Sequence, residues 1–380
     1  MLALDAEIQE RLLGRVPADV LTAADRATLT GQRVLITGAG GTIGSELARQ
    51  IAALRPAQLT ILDHSEYALF RAESELRERN PGLALDAWLG DVSRGVDIRA
   101  ACRAGRPQVV YHAAAYKHVP ITERAIVPAA RANILGTRET VRAARETGAR
   151  FVLISSDKAA EPRSVMGASK RFAELIALSH ATRAFRPVVV RFGNILGSSG
   201  SFLEVMWRAI EGRRNVPVTH PDATRFFMTV AEAVSLVLKT DLIGRRPEVF
   251  WLEMGQAVRI GDLAERFIDW AVAAGRPRVG IDVIGLRPGE KMREDLTNHG
   301  LKMCRTDHPR IWSARQRDVS AEAVAAAVRD VRRGAAAGDA VAILRAMHAA
   351  VPDFTSSPGA AAAAIAASTL AGRADATLTA

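Results

Sequence analysis

An apolar run, Arg33-Val34-Leu35-Ile36-Thr37, leads into a glycine loop, Gly38-Ala39-Gly40-Gly41-Thr42-Ile43-Gly44. The run is short and apolar throughout, as a strand buried on both faces requires. Glycines 38, 41 and 44 lie three apart, between that strand and a helix predicted from Ser45 to Leu54. Small residues are needed where the chain turns sharply, where backbone approaches a pyrophosphate, and where helix packs closely on strand. The helix start then presents free N–H groups and a partial positive charge. Glycine spacing alone is weak evidence. Asp63 strengthens it, because it ends the next apolar run, Leu59-Thr60-Ile61-Leu62-Asp63, nineteen residues beyond Gly44. A carboxylate there accepts hydrogen bonds from ribose hydroxyls and repels a 2′-phosphate, which favours NAD over NADP. Arg71 is a nearby cation that works against this preference.

The same alternation continues outward. Strands are predicted at 83–89, 108–112, 151–155 and 187–192, and helices at 67–79, 133–147 and 169–179. Strands alternating with helices predict an α/β fold, a doubly wound parallel sheet covered on both faces. After Asn194 the rhythm loosens into a smaller substrate-binding region, with a late strand near 248–252 returning to the sheet. The helix at 259–274 carries Ile260, Leu263, Phe267 and Trp270 at helical spacing, which reads as core. The expected organisation is a helical extension at 1–30, a dinucleotide-binding domain at 31–193, a mainly substrate-binding region at 194–318, C-terminal helices at 319–354, and a disordered Ala-rich tail at 355–380.

Composition agrees with a globular chain: of 380 residues, 48% are hydrophobic and 24% charged. The net charge of +10 suits an anionic partner. Arginines are scattered and no nucleic-acid signature is visible, so nucleic acid is not expected. Cys102 and Cys304 form neither a disulfide framework nor a metal cluster, which suits a reducing, cytoplasmic setting. His112, His118 and His220 lack metal-ligand spacing, and no metal is assigned. Charges within the first twenty residues exclude a signal peptide, and no apolar run is long enough for a membrane span.

Further motifs are Leu62-Asp63-His64-Ser65-Glu66; Gly90-Asp91-Val92; His112-Ala113-Ala114-Ala115-Tyr116-Lys117-His118; Ser155-Ser156-Asp157-Lys158; Val165-Met166-Gly167-Ala168-Ser169-Lys170; Arg191-Phe192-Gly193-Asn194; Thr224-Arg225-Phe226-Phe227; and Gly285-Leu286-Arg287-Pro288-Gly289-Glu290-Lys291. Together they resemble the CapD-like polysaccharide-biosynthesis family of the extended short-chain dehydrogenase superfamily, in particular its WbpM/PglF type of UDP-N-acetylglucosamine 4,6-dehydratase. The resemblance covers roughly residues 8–354 and implies a Rossmann-type fold. Many members carry membrane helices before this region, so the chain is expected to be their soluble catalytic portion. The superfamily's habit of pairing through helices beside the active site implies a homodimer or higher homo-oligomer.

The implied reaction needs NAD and a UDP-sugar. A hydride leaves sugar C4, a base takes the C5 proton, an acid protonates the departing C6 hydroxyl, and the hydride returns to C6. The resemblance makes Asp157 the acid and Lys158 the base, with Ser156 beside the sugar O4. A lysine base at neutral pH needs its pKa lowered. Lys170 is implied to bind the nicotinamide ribose. Met166 stands four residues earlier, where most short-chain dehydrogenases have a tyrosine; methionine cannot exchange a proton, so the group that accepts the C4 hydroxyl proton is open between Asp157, Lys158 and a water. The cofactor set is completed by Gly38, Gly41, Thr42, Ile43, Gly44, Asp63, Asp91, Val92, Ala113 and Ala114. Lys117, Asn194, Arg225, Arg287 and Glu290 are implied to bind the nucleotide sugar. A 4-epimerase on the same fold would use the same hydride without an acid–base pair, and Met166 also admits a non-catalytic NAD-binding protein.

Overall fold

The computed structural model describes residues 5–17, 19–244, 246–294, 303–314 and 320–366. Nine strands form the main sheet: β1 (Arg33–Thr37), β2 (Gln58–Asp63), β3 (Leu85–Leu89), β4 (Val109–His112), β5 (Arg150–Ile154), β6 (Val188–Arg191), β7 (Val249–Leu252), β8 (Met303–Arg305) and β9 (Ile311–Ala314). Their order across the sheet is β8-β9-β7-β6-β5-β4-β1-β2-β3. The seven strands from β7 to β3 run parallel, whereas β9 is antiparallel to β7 and β8 to β9. The fold is therefore the expected doubly wound α/β sheet, with an added antiparallel edge. Chain order reverses between β1 and β4, and ligands of such sheets bind in the crevice beyond the strand carboxyl ends there.

Alternate strand residues bury on opposite faces. Leu35, Val110, Phe151, Leu153 and Val189 enter one core, and Val34, Ile36, Ile61, Tyr111, Val152 and Val190 enter the other. A third core joins Leu203, Met206, Val216, Val218, Leu263 and Phe267 in the substrate half. Ile8 and Leu12 of the helix Ala6–Leu13 belong to this third core, so part of the N-terminal extension serves the distal half. Arg15 fastens it, pairing with the buried Glu232 at 2.7 and 2.9 Å.

The helix Val165–Ser179 is buried from Val165 to Leu178, and the chain's own C-terminal helices, Ala321–Ala337 and Ala340–Ala350, pack beside it. One expectation is revised. The segment after Phe354 is structured where described: 358–366 is helical, and Ser357, Ala360 and Ala364 are buried. The Thr355 N–H donates to the Pro162 carbonyl at 3.1 Å, and Ser357 Oγ donates to Glu123. Alanine and serine contribute little apolar area each, but they fit closely against a wall that the sequence does not display. Residues 367–380 lie outside the described residues.

Candidate active site

The glycine loop is shaped by close backbone approach. Gly38 has φ +69°, and a methyl group on it would lie 2.6 Å from the Ala114 backbone. A methyl on Gly44 would lie 2.0 Å from the Gly38 carbonyl oxygen. The helix Thr42–Ala53 begins without a side-chain cap, so its first N–H groups are open to an anion. Asp63 is buried; its carboxylate accepts from the Gly40 N–H and the Ser65 N–H, each at 2.9 Å. It therefore braces the loop as well as standing at the strand end. Beneath the loop, His112 bonds Thr37 Oγ1 at 2.7 Å and Thr137 Oγ1 at 3.1 Å. Burial, helped by Lys170, pushes its pKa down to about 3, so it is a neutral structural imidazole.

From this loop a cavity of about 750 Å³ extends to the substrate half. Gly38, Gly41, Thr42, Ile43, Gly44, Ala113, Lys117, Ser156, Lys158, Met166, Lys170, Asn194, Arg225, Arg287 and Glu290 all line it. One space thus holds most residues expected for cofactor, chemistry and sugar, within the size range of small-molecule sites. Asp63, Asp91, Val92, Ala114 and Asp157 do not line it. Asp91 accepts from the Ser93 N–H at 2.8 Å, and Val92 is buried in core.

The chemistry-bearing residues follow the end of β5. Asp157 N–H donates to the Phe192 carbonyl at 3.1 Å, which draws the β5 and β6 ends together. Lys158 Nζ contacts Asp157 Oδ1 at 3.0 Å, and Ser156 Oγ donates to the same oxygen at 2.9 Å. The Asp157 carboxyl is wholly buried, while its partners Ser156 and Lys158 line the cavity. Burial works to lower the pKa of Lys158, but the carboxylates of Asp157 and Glu294 outweigh it, and the net direction is upward. The lowering expected for a lysine base is therefore not produced by these surroundings.

Met166 and Lys170 face the cavity one turn apart on Val165–Ser179. Lys170 Nζ donates to the Ile154 carbonyl at 2.5 Å. Burial pulls its pKa down to about 8 against the opposing charge of Glu174. Glu174 is itself buried, yet Arg191 at 2.6 Å and Arg171 at 3.0 Å hold it below the usual carboxylate range. Ser155 Oγ donates to Glu174 at 2.6 Å, so this ion network locks the β5 end to the helix carrying Lys170. Asn133 adds a second brace: its side chain exchanges hydrogen bonds with the Tyr116 backbone at 2.8 and 3.0 Å and donates to Ser169 Oγ at 2.8 Å. It sits in a π-helical stretch, Ala130–Leu135, that precedes the helix expected to start at 133. Asn133 has no local sequence signal, because its partners are distant in the chain.

At the end of the cavity away from the glycine loop, Gly289 has φ +80°, and a methyl on it would lie 2.9 Å from Ser164 Cβ. That contact seats the turn carrying Arg287 and Glu290, and Glu290 accepts from the Arg287 N–H at 3.1 Å. Arg225 lines the cavity, but its terminal nitrogens donate to the carbonyls of Thr224, Lys291 and Met292 at 2.7–3.3 Å. Its visible work is to fasten the 291–292 segment, not to present an open fork. Burial lowers the pKa of Lys117, opposed by Glu204. Among the described residues, the buried side-chain atoms without a hydrogen-bond partner include Asp157 Oδ2, Asn194 Nδ2, Ser201 Oγ, Lys291 Nζ and Glu294 Oε2. Unsatisfied buried atoms are costly, and of these residues Asn194 and Ser201 line the cavity. Glu294 was not foreseen; in Lys291-Met292-Arg293-Glu294 it reads as one charge among several. No cluster of metal-ligating side chains occurs among the described residues. Among them no helix is long and apolar enough to cross a membrane.

The chain matches the model of the polysaccharide biosynthesis protein family over residues 34–316. It belongs to that family. EpsC of Bacillus subtilis, a probable polysaccharide biosynthesis protein, is 42% identical over 293 residues, covering 76% of this chain and 49% of EpsC. The chain therefore spans about half the length of that relative. A UDP-N-acetylglucosamine 4,6-dehydratase (inverting) of Campylobacter jejuni is 28% identical, with 69% of this chain and 76% of the relative covered. A UDP-glucose 4-epimerase of Rickettsia canadensis is 30% identical, with 70% and 77% covered. Among solved structures, Pen from Bacillus thuringiensis superimposes with a TM-score of 0.70 at 28% identity, covering 76% of this chain and 89% of Pen. DesIV of Streptomyces venezuelae, a dTDP-glucose 4,6-dehydratase solved with NAD and TYD, shares the fold at a TM-score of 0.62 and 22% identity, covering 70% and 88%. This family member is thus related to nucleotide-sugar dehydratases and epimerases.

Proposed function

We propose that this chain is an NAD-dependent nucleotide-sugar 4,6-dehydratase that converts UDP-N-acetylglucosamine to the UDP-4-keto-6-deoxy sugar for surface polysaccharide or glycan synthesis. The observation that carries this reading is the Asp157–Lys158 contact of 3.0 Å beyond β5, with Lys158 facing the same cavity as the glycine loop and Lys170. A 4-epimerase has no use for an acid–base pair at C5 and C6.

The loop fits a dinucleotide, because a methyl on Gly38 or Gly44 would strike backbone and the helix start is uncapped. NAD, when bound, supplies the hydride acceptor and donor that make the exchange between C4 and C6 redox-neutral. The protein's own groups handle protons. Ser156 Oγ, at 2.9 Å from Asp157 Oδ1, relays the C4 hydroxyl proton to that carboxylate, a task Met166 cannot perform. The protonated Asp157 then returns the proton, through the same hydroxyl, to the departing C6 oxygen. Lys158, after giving its own proton to solvent water, takes the C5 proton that the 4-keto group has made acidic, and gives it back to C5. Lys170 serves the nicotinamide ribose, and Arg287 and Glu290 serve the nucleotide.

The test is incubation of the purified chain with UDP-N-acetylglucosamine and catalytic NAD. Loss of one water from the sugar nucleotide without accumulation of NADH is expected. A product of unchanged mass but inverted C4 would establish the epimerase instead, and NAD binding with no product would establish a non-catalytic protein.

A further inference from the structure

Glu294 lies next to Lys158 on a different segment from Asp157. Its Oε1 is 3.5 Å from Lys158 Nζ and 3.6 Å from Arg225 Nε. Its side chain is 3% exposed, and its Oε2 is buried without a hydrogen-bond partner. A buried carboxylate persists only where nearby cations offset its loss of water. The charged groups facing this cluster are Asp157 and Lys158 beyond β5, Arg225 in the strand Thr224–Arg225, and Lys291 in Glu294's own segment. Glu294 is held in that segment by Arg225, whose guanidinium donates to the Lys291 and Met292 carbonyls. The segment also carries Arg287 and Glu290, which line the cavity.

We propose that Glu294 is a positioning residue of this site: with Asp157 it holds the Lys158 ammonium in place, and it sets the pH at which that amine becomes a base. This rests on the dehydratase reading only for the use to which the base is put. The coupling between the two groups is Coulombic. An anion within about 4–6 Å of an ammonium favours its charged form by roughly 1–3 pKa units, and low dielectric limits screening. Lys158 therefore stays protonated in the free site and yields its proton at a pH governed by how Glu294 is seated. Because Glu294 shares a segment with the nucleotide-facing turn, seating of that turn and readiness of the base are mechanically linked. Burial raises the Glu294 pKa, Lys158 opposes the rise, Asp157 adds to it, and Arg225 and Lys291 oppose it, with a net direction upward.

The test needs no turnover. Lys158 in the full chain is labelled with trace acetic anhydride across a pH series, and peptide mass spectrometry gives its labelling midpoint. Glu294→Gln keeps the shape and removes the charge, so the Lys158 midpoint should fall by about one unit or more. Glu294→Asp withdraws the charge by one carbon and should give a smaller fall. The Lys170 midpoint, read in the same digests, should stay near about 8. In turnover, the rising limb of kcat against pH should move in the same direction as the Lys158 midpoint, with KM little changed. An unshifted Lys158 midpoint in folded Glu294→Gln overturns the proposal, because a purely structural Glu294 would alter melting but not that midpoint. If Glu294→Gln does not fold, an unshifted midpoint in Glu294→Asp overturns it equally. A shifted midpoint in a chain that does not dehydrate UDP-N-acetylglucosamine would sink the dehydratase reading and leave the Glu294–Lys158 coupling standing.

Discussion

The two ends of the cavity are built differently. At the cofactor end, backbone approaches backbone: Gly38 against Ala114, and Gly44 against the Gly38 carbonyl. At the sugar end, an exposed turn at 285–290 is held by Gly289 against Ser164 and followed by carbonyls fastened to Arg225. The first end has no slack, since a side chain there meets groups that cannot rotate away. The second depends on a few contacts that can be weakened one at a time. A rigid loop suits a cofactor that must be held in one pose, and a seated turn suits a substrate that must enter and leave.

The largest effect on binding should come from breaking the rigid end. In Gly44→Ala the added methyl would lie 2.0 Å from the Gly38 oxygen, and the loop must deform. We expect NAD affinity to fall by about 10²-fold, on the order of 2–3 kcal/mol, the scale of a forced overpacking. An NAD titration by protein fluorescence checks this; unchanged affinity would mean the loop yields after all. Between the two ends, Lys158→Met should lower dehydration by roughly 10²–10⁴-fold, with NAD affinity nearly unchanged. Exchange of C5 hydrogen with solvent deuterium should fall in parallel, and normal exchange would remove Lys158 from the base role.

A smaller effect is expected at the seated turn. Alanine at position 289 must adopt a left-handed conformation and approach Ser164, at a cost of about 1–2 kcal/mol. Gly289→Ala should therefore raise KM for the UDP-sugar by roughly 5–30-fold and leave NAD binding alone. Loss of NAD affinity in this variant would show that the two ends are not separable. The smallest effect concerns the C-terminal segment. Ending the chain at Phe354 removes Ser357 from the buried Glu123 carboxylate and uncovers the pocket filled by Ala360 and Ala364. A hydrogen bond to a charged group is worth about 1.5–3 kcal/mol. A fall in Tm of roughly 2–4 °C is expected by calorimetry, where a disordered tail would produce none.

The cofactor end was legible in the sequence because its geometry is local. Glycines at 38, 41 and 44, an apolar strand before them and Asp63 after them record the constraint within about thirty residues of chain. The strands β1, β2 and β4 to β7 were legible for the same reason, since burial on both faces leaves mainly apolar runs; β3 is only partly buried and carries Asp86 within its run. The edge strands β8 and β9 were not. They are only three and four residues long, and β8 is exposed, so neither leaves a run to read. The roles of Arg225 and Asp63 were visible as ligand contacts but not as braces for neighbouring backbone.

What the sequence determined by itself was the class of fold, the place of the glycine loop, and the presence of an Asp-Lys pair after a strand. Each follows from residue periodicity or from motifs only a few residues long. The tertiary structure decided which groups surround that pair. It buried Asp157 behind Ser156 and Lys158, and it brought Glu294 from 136 residues farther along the chain to 3.5 Å from the Lys158 amine. It also laid the chain's own C-terminal helices beside the helix of Lys170. The reason is physical: a charge acts through distance and dielectric, and neither is a property of chain order until the core has closed around it.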